Sequence, residues 1–492
     1  MNSMTSLKPR TLKALTSVLL ASLVADCTVG PDYERPPTNV PPEFRSQVGP
    51  AGTNSFADLG WQFVFKDQAL QQLITEGINN NYDLQIAVAR IKQARELVDV
   101  ARSEALPQLG YQAFGGGEKA VVQNVNSVGS VTYSVFGGLI NAAWEIDVWG
   151  KIRRSTEAAK ANLYQQEDIR RGVMLTVVTQ LAAGYYQLIE LDHQLEIAKE
   201  SAAAYKKTFD LFSDRFKAGK DSKLPVTRSQ AAYDLAQSNI SVITRLITQQ
   251  ENALSVLAGV QPGPIARGRL LTEQMMPPTP LGSTTDILRR RPDILAAEQG
   301  MIGANAEIGV AVANFFPVIG LSAFGGGEGI GLGGTVHGFS FWNAALDATG
   351  PIFTGGRLEA EYRDRQAYWD ETIAEYRKTI LGAFQETSDA LIAQQTLVRQ
   401  REDLERQVKS LQQSVDLALI RYDGGRASYF EILEAQQQLY PAEYQLSATR
   451  RDQLLAVVNL YKALGGGWQP ETRPVKEAAA YVPVRPTHAG AP

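Results

Sequence analysis

The chain has 492 residues, 44% of them hydrophobic and 20% charged, a balance that excludes a disordered polymer and a bundle of membrane helices alike. With 48 basic against 52 acidic residues the formal charge is -4, so there is no broad positive field for nucleic acid and that class of partner is set aside. Beyond the N-terminus no apolar run of the ~20 residues needed for a helical span stands out, and any membrane crossing is expected to use strands.

Residues 1–26 read as an export signal: Lys8, Arg10 and Lys13 precede an apolar run from Ala14 to Ala25 that is too short for a transmembrane anchor. Cys27 follows at once and is the only cysteine, so it has no internal disulfide partner. Its place after the apolar run points to lipid attachment, which anchors stably when several acyl chains are present. Val24 and Asp26 stand where bacterial lipoproteins usually carry Leu and a small residue, and cleavage without acylation stays open. Residues 27–60 form an N-terminal extended segment carrying the expected anchor.

A first repeat occupies 61–258. An amphipathic helix leads to two predicted strands, Leu106 to about Ala120 and about Val128 to Val148, in which Val131, Tyr133 and Val135 alternate with Thr132 and Ser134. A helix from about Gly150 to Ala218 would run ~100 Å at 1.5 Å per residue. Along it Leu188, Leu191, Leu195, Ala198, Ala202, Tyr205, Phe209, Phe212 and Phe216 recur every three or four residues, the seam of a coiled coil. The seam ends at RFKAGKDS, a glycine turn, and a second helix returns. Residues 259–284 are rich in Pro and Gly and read as a linker.

The second repeat, 285–467, begins at RRRPD. Pro292 suits the first position of a helix and Asp293 its first turn, while the arginines are expected to be a solvated linker end rather than an anion site. Strands are predicted at Pro317 to Phe324 and about Val336 to Leu346. Leu404, Val408, Leu411, Val415, Ala418 and Tyr422 repeat the seam, which ends at RYDGGRAS. Residues 468–492, rich in Pro and Ala, are expected to be a disordered tail.

The duplication is explicit. ARSEALPQLGYQAFGGGE from Ala101 aligns without gaps on AVANFFPVIGLSAFGGGE from Ala311, pairing Pro107 with Pro317 where helical periodicity gives way to alternation. Arg215, Phe216, Gly219 and Ser222 align on Arg421, Tyr422, Gly425 and Ser428. Two strands per repeat make four per chain, too few to close a barrel, and open edges facing lipid would leave backbone groups unsatisfied. Several copies are therefore required, and four long helices per chain must meet other copies or line a space.

Catalytic chemistry has little to stand on. His193, His337 and His488 are scattered without metal-ligand spacing and read as incidental. Gly329, Gly331 and Gly334 match GxGxxG, but in a strand-loop context with no following helix. No nucleophile elbow or distinctive carboxylate pair occurs, so neither an enzyme nor a cofactor or metal is expected.

The stretches CTVGPDYERP, LGWQFVFKDQALQQLI, WEIDVWGKIRR, ILRRRPDILAAEQGMIGANAEIGVA, GPIFTGGR and RYDGGRASYFEILEAQ together resemble the TolC-like outer-membrane efflux proteins, most closely their lipoprotein branch of OprM and NodT type. The resemblance covers nearly the whole exported chain. It implies a membrane α+β fold: a homotrimer whose twelve-stranded β-barrel, four strands per chain, continues into an α-helical coiled-coil tunnel through the periplasm. It also implies the outer membrane and its lipid as surroundings, and two partners, a periplasmic adaptor (membrane fusion protein) and an inner-membrane resistance-nodulation-division transporter. Adaptor-docking tips are implied at Arg215, Gly219, Ser222, Arg421, Tyr422, Gly425 and Ser428, tunnel-to-barrel turns at Pro107 and Pro317, and a periplasmic constriction at Phe430, Glu434 and Gln437. The family commonly has Leu, Asp and Arg at those last three places; Glu434 keeps the carboxylate and Gln437 loses a charge. The expected activity is passive efflux of small toxic compounds or drugs. A protein-secretion channel of the same architecture is the alternative, and a surface coiled-coil scaffold or adhesin is the alternative outside transport.

Overall fold

A computed structural model describes residues 28–47, 55–124, 127–332 and 335–467. In chain order its main elements are α1 (Gln68–Asn80), α2 (Tyr82–Ser103), β1 (Gln108–Asn124), β2 (Ser127–Ile146), α3 (Lys151–Lys217), α4 (Lys223–Leu257), α5 (Pro292–Ala313), β3 (Val318–Leu332), β4 (Thr335–Thr349), α6 (Arg357–Asp423) and α7 (Tyr429–Ala463). β1, β3 and β4 reach several residues beyond the stretches read from sequence, whereas β2 keeps close to its expected bounds. Glycine-rich runs such as 115–117 and 325–327 hide the alternation without breaking the ladder.

The repeat extends to backbone conformation. Gly150, Gly219 and Gly259 have φ of 78°, 68° and 78°, and their counterparts Gly356, Gly425 and Gly465 have 84°, 71° and 72°. These are left-handed positions that glycine occupies without steric cost, and they bracket the same helices in both halves. At the first of them the α3 N-terminus is satisfied from outside the helix: Asp147 accepts from the N–H groups of Ile152 at 3.1 Å and Arg153 at 2.9 Å.

The elements lie side by side in single strips. The strands follow the order β1-β2-β3-β4, all antiparallel, with β1 and β4 as open edges. Next to the sheet the helices are ordered α2-α3-α5-α6, and beyond the middle of the long helices the order is α4-α3-α7-α6. α3 and α6, each 67 residues long, run through both levels, ~100 Å at the rise of an α-helix. The main core lies around the middle, where Tyr185, Tyr376, Tyr461, Phe56 and Phe65 are almost wholly buried.

α3 includes one 18-residue stretch apolar enough to span a bilayer, which the sequence reading missed; more than half of it is buried in the subunit, so it is core wall. Of the arginines of RRRPD only Arg289 is exposed as a solvated linker end would be; the other two are paired. Arg290 pairs with Asp58 at 2.5 Å. Arg291 is buried, bridges Asp293 at 2.6 Å and Glu386 at 2.7 Å, and donates to the Ala463 carbonyl at 3.0 Å. A desolvated guanidinium needs such partners, and here they come from the same helix start, from the middle of α6 and from the end of α7. Pro292 does open α5 as expected.

Side-chain alternation divides the sheet. Close to the helices one face carries Leu109, Tyr111, Ile140, Trp144, Leu321 and Leu346, and the opposite face carries Gln108, Gln112, Asn141, Glu145, Ser322 and Asp347. The first suits lipid, with aromatics near an interface, and the second suits a water-filled lumen. Polar groups on the second face bond one another: Tyr133 donates to Glu118 at 2.8 Å and Ser322 to Asp347 at 2.7 Å.

Candidate functional site

Pro107 and Pro317 each stand one residue before a strand, after helices that end at Ser103 and Ala313. The second turn is clamped: Trp149 stacks on Phe316 at 4.6 Å and its indole donates to the Pro317 carbonyl at 2.7 Å. The same junction receives the start of the described chain. Val29 donates to the Trp149 carbonyl at 3.1 Å, and a Cβ on Gly150 would lie 2.7 Å from Thr28 Cγ2. Onward, Arg154 bonds Asp32 at 2.8 Å, Asn305 donates to the Pro31 carbonyl at 2.9 Å, and Arg35 makes a two-pronged contact with Glu298. Cys27 itself lies outside the described residues.

At the far end of the helices the two hairpin tips are near copies. α3 closes with the Gly219 N–H on the Phe216 carbonyl at 2.9 Å and the Lys220 N–H on the Arg215 carbonyl at 2.9 Å; α6 closes with Gly425 on Tyr422 at 2.9 Å and Arg426 on Arg421 at 2.8 Å. Both are six-to-one closures around a left-handed residue, which is why each turn carries glycine there. Ser222 and Ser428 then start the returning helices. Arg421 approaches Glu431 at 3.5 Å across the second turn.

The side chains then break the symmetry. Arg215 pairs with Asp221 at 2.6 Å, and the Tyr422 hydroxyl donates to the same carboxylate at 3.3 Å, which ties the second tip to the first. The Arg215 guanidinium also sits 5.2 Å from the centre of the Tyr422 ring. Beneath them Phe212 is buried and meets Tyr422 and Tyr429 edge-on, each at 5.6 Å. Asp221 and Tyr429 were not singled out from sequence. A signal was there, since the partner of Asp221 under the repeat is Ala427, one of the places where RFKAGKDS and RYDGGRAS differ in charge.

Phe430, Glu434 and Gln437 lie at four- and three-residue spacing on one exposed face of α7, with Phe430 51% accessible. The opposite face, with Ile432, Leu433, Gln436 and Leu439, is buried against the neighbouring helices. Further up the same seam Tyr205 meets Tyr440 at 5.4 Å, beside a proline inside the helix, Pro441. Burial pushes the neighbouring Glu443 carboxyl up to about 7, and the charge of Glu200 adds to it.

The predicted seam is buried through Leu188, Leu191, Ala198, Ala202, Tyr205 and Phe212, but its last member, Phe216, is 43% exposed in the single subunit. His193 is not incidental: its Nδ1 lies 2.9 Å from Ser447 Oγ, in a buried polar cluster where Glu190 meets Arg451 at 3.5 Å and also bonds Gln194. Burial lowers the His193 pKa, with Arg450 contributing. His337 stands on β4, and His488 is outside the described residues. Of the GxGxxG match, Gly329 and Gly331 lie within β3.

The strips are open on both sides at every level, and the profile of the family described as outer membrane efflux protein matches residues 73–260 and 284–466. The chain belongs to that family. This efflux protein is 32% identical over 478 residues to the toluene efflux pump outer membrane protein TtgC of Pseudomonas putida, a match covering 96% of this chain and 99% of that protein. It is 29% identical over 455 residues to the cation efflux system protein CusC of Escherichia coli, covering 92% and 98%. Its fold matches the solved outer-membrane channel OprN with a TM-score of 0.81 at 27% identity, over 90% of this chain and 100% of that one. The sheet is thus one subunit's share of a trimeric, twelve-stranded barrel in the outer membrane, and the long helices are its share of a periplasmic tunnel.

Proposed function

We propose that this outer-membrane efflux channel is the exit duct of a tripartite pump. It receives small toxic compounds or drugs from an inner-membrane resistance-nodulation-division transporter through a periplasmic adaptor, with no catalytic step and no cofactor. Each repeat, 61–258 and 285–467, supplies half of a subunit's share of the wall. The adaptor docks on the tips around Arg215, Gly219, Ser222, Arg421, Tyr422, Gly425 and Ser428. Phe430 blocks the closed tunnel, and Glu434 selects for cations. Three carboxylates about a symmetry axis repel one another, so the ring draws in cations.

The observation that carries this reading is the exposed row Phe430, Glu434 and Gln437, on a helix face left unpacked immediately after a hairpin tip. Opening is a switch between two packings of the same seam, driven at the tips. The named relatives export unlike cargoes, toluene for TtgC and cations for CusC, so cargo is tested directly. Deleting the gene and measuring sensitivity to antibiotics, solvents, metals and phenols is expected to expose at least one hypersensitivity. Unchanged growth across the panel would count against the efflux reading.

Acylation of Cys27 belongs to the same proposal. Its support is the position of Thr28, packed at the junction where the tunnel meets the barrel, within reach of the inner leaflet. Mass spectrometry of the mature N-terminus in the unaltered chain and in Cys27→Ser tests it; an unmodified thiol in the unaltered chain would refute it.

A further inference from the structure

The lumen face of the sheet changes character along its length. Near the helices it is polar, but two to four residue pairs further out Phe324, Phe341, Phe339 and Phe114 stand on the same face. Phe324 and Phe341 meet with ring centres 6.1 Å apart, and Phe339 and Phe341 at 6.3 Å. One register row runs Phe114, Gly137, Glu328, Phe339, so a carboxylate stands between two rings. Gly137 makes the room: a Cβ there would lie 2.9 Å from the Phe114 ring tip and 3.2 Å from Glu328 Cα.

Four phenylalanines facing water inside a barrel are costly unless they serve cargo, because lumen positions ordinarily carry polar side chains. The electrostatics are one-sided as well. Lumen-facing carboxylates include Glu118, Glu145, Glu328 and Asp347, and the one Lys or Arg in the described strands, Lys119, stands on the lipid-side alternation. An aromatic face attracts cations through its quadrupole, and a nearby carboxylate adds to that attraction.

We propose that Phe114, Phe324, Phe339 and Phe341, together with Glu328, form an aromatic collar in the barrel lumen that holds organic cations bearing aromatic rings as they leave. In the trimer the collar is repeated three times around the pore, so a cation meets rings on every side. It rests on the channel reading, since only a closed barrel makes this face a lumen.

The test uses full-length trimers in lipid nanodiscs, with tetraphenylphosphonium as the probe and empty nanodiscs subtracted. Tetraethylammonium, which has the charge without rings, and benzenesulfonate, which has a ring with the opposite charge, are the comparisons. Calorimetry is expected to show tetraphenylphosphonium binding at least tenfold more tightly than either. The triple change Phe324→Ala, Phe339→Ala and Phe341→Ala is expected to weaken it at least tenfold. Replacing the same three residues by Leu, which keeps apolar bulk and removes the ring face, is expected to weaken it severalfold, as is Glu328→Gln. Equal affinity for all three probes overturns the proposal, as does unchanged probe affinity in a trimeric Leu or Ala variant. Conductance of the same preparation in planar bilayers separates the two readings. A conducting trimer indifferent to the ring changes refutes the collar alone, and a trimer that passes no ions refutes the channel and the collar with it.

Discussion

The Tyr422 hydroxyl, at the end of the second seam, donates to the Asp221 carboxylate at 3.3 Å, just past the end of the first. Arg215 holds the same carboxylate oxygen at 2.6 Å. This is the polar tie between the tips of one subunit, and it bridges the two hairpins whose separation would widen the tunnel mouth. Asp221→Ala is therefore expected to raise mean single-channel conductance severalfold, with Tyr422→Phe a smaller rise because the ring packing on Phe212 survives. Planar-bilayer recordings check this, and a conductance no higher than that of the unaltered channel in both variants would show that the tie does not hold the mouth.

Glu434 and Phe430 separate charge from bulk. Glu434→Ala is expected to lower cation preference, read as a reversal-potential shift in a salt gradient, with little change in pore size. Phe430→Ala is expected to enlarge conductance while leaving cation preference in place. The same result from both substitutions would refute the division of roles.

The N-terminal segment crosses α5 by backbone contact alone at one point. Gly30 has φ 95°, and a Cβ there would lie 2.5 Å from Gly309 Cα. Gly30→Ala must move one chain or the other, at a cost on the order of 1–3 kcal/mol. Limited proteolysis is expected to cut within residues 28–47 sooner in this variant, with barrel assembly retained. Equal protection would mean that the segment is held from elsewhere.

Glu443 has a folded pKa near 7, raised above its ordinary value first by burial and then by Glu200. A carboxyl with a raised pKa binds its proton more tightly in the folded state, so its burial is tolerated at low pH and becomes a penalty as pH rises through about 7. Glu443→Gln removes that penalty and is expected to raise the melting temperature at pH 8 and to leave it nearly unchanged below the ordinary carboxyl value, at about pH 4. A pH-independent difference would show that the residue acts through packing alone.

Much of this architecture was legible from spacing. A seam that recurs every three or four residues through the second half of α3 calls for a partner helix, and turns that demand a left-handed residue name their glycines. What stayed hidden were contacts between residues far apart in the chain. Tyr422 and Asp221 are 201 positions apart, and neither lies in a pattern that points to the other. Arg291 misled for the same reason: a run of three arginines reads as solvated until Glu386, 95 positions on, is seen beside it. The collar was hidden by glycine, which interrupts alternation in sequence while the strand continues in space. The row Phe430, Glu434 and Gln437 came from family resemblance; its exposed face on α7 follows from helical spacing, and its role awaits the recordings above.

α6 is the outer edge of both helical strips and continues from β4, which is the outer edge of the sheet. Each subunit thus offers one uninterrupted border on one side and a composite of β1, α2 and α4 on the other. A head-to-tail joint of this kind satisfies every border only when the ring closes, and a pair leaves two raw borders behind. A copy damaged along α6 alone still presents a sound opposite side, so it can recruit intact partners into rings that never seal. Co-production of such a copy with the intact chain would poison efflux out of proportion to its share.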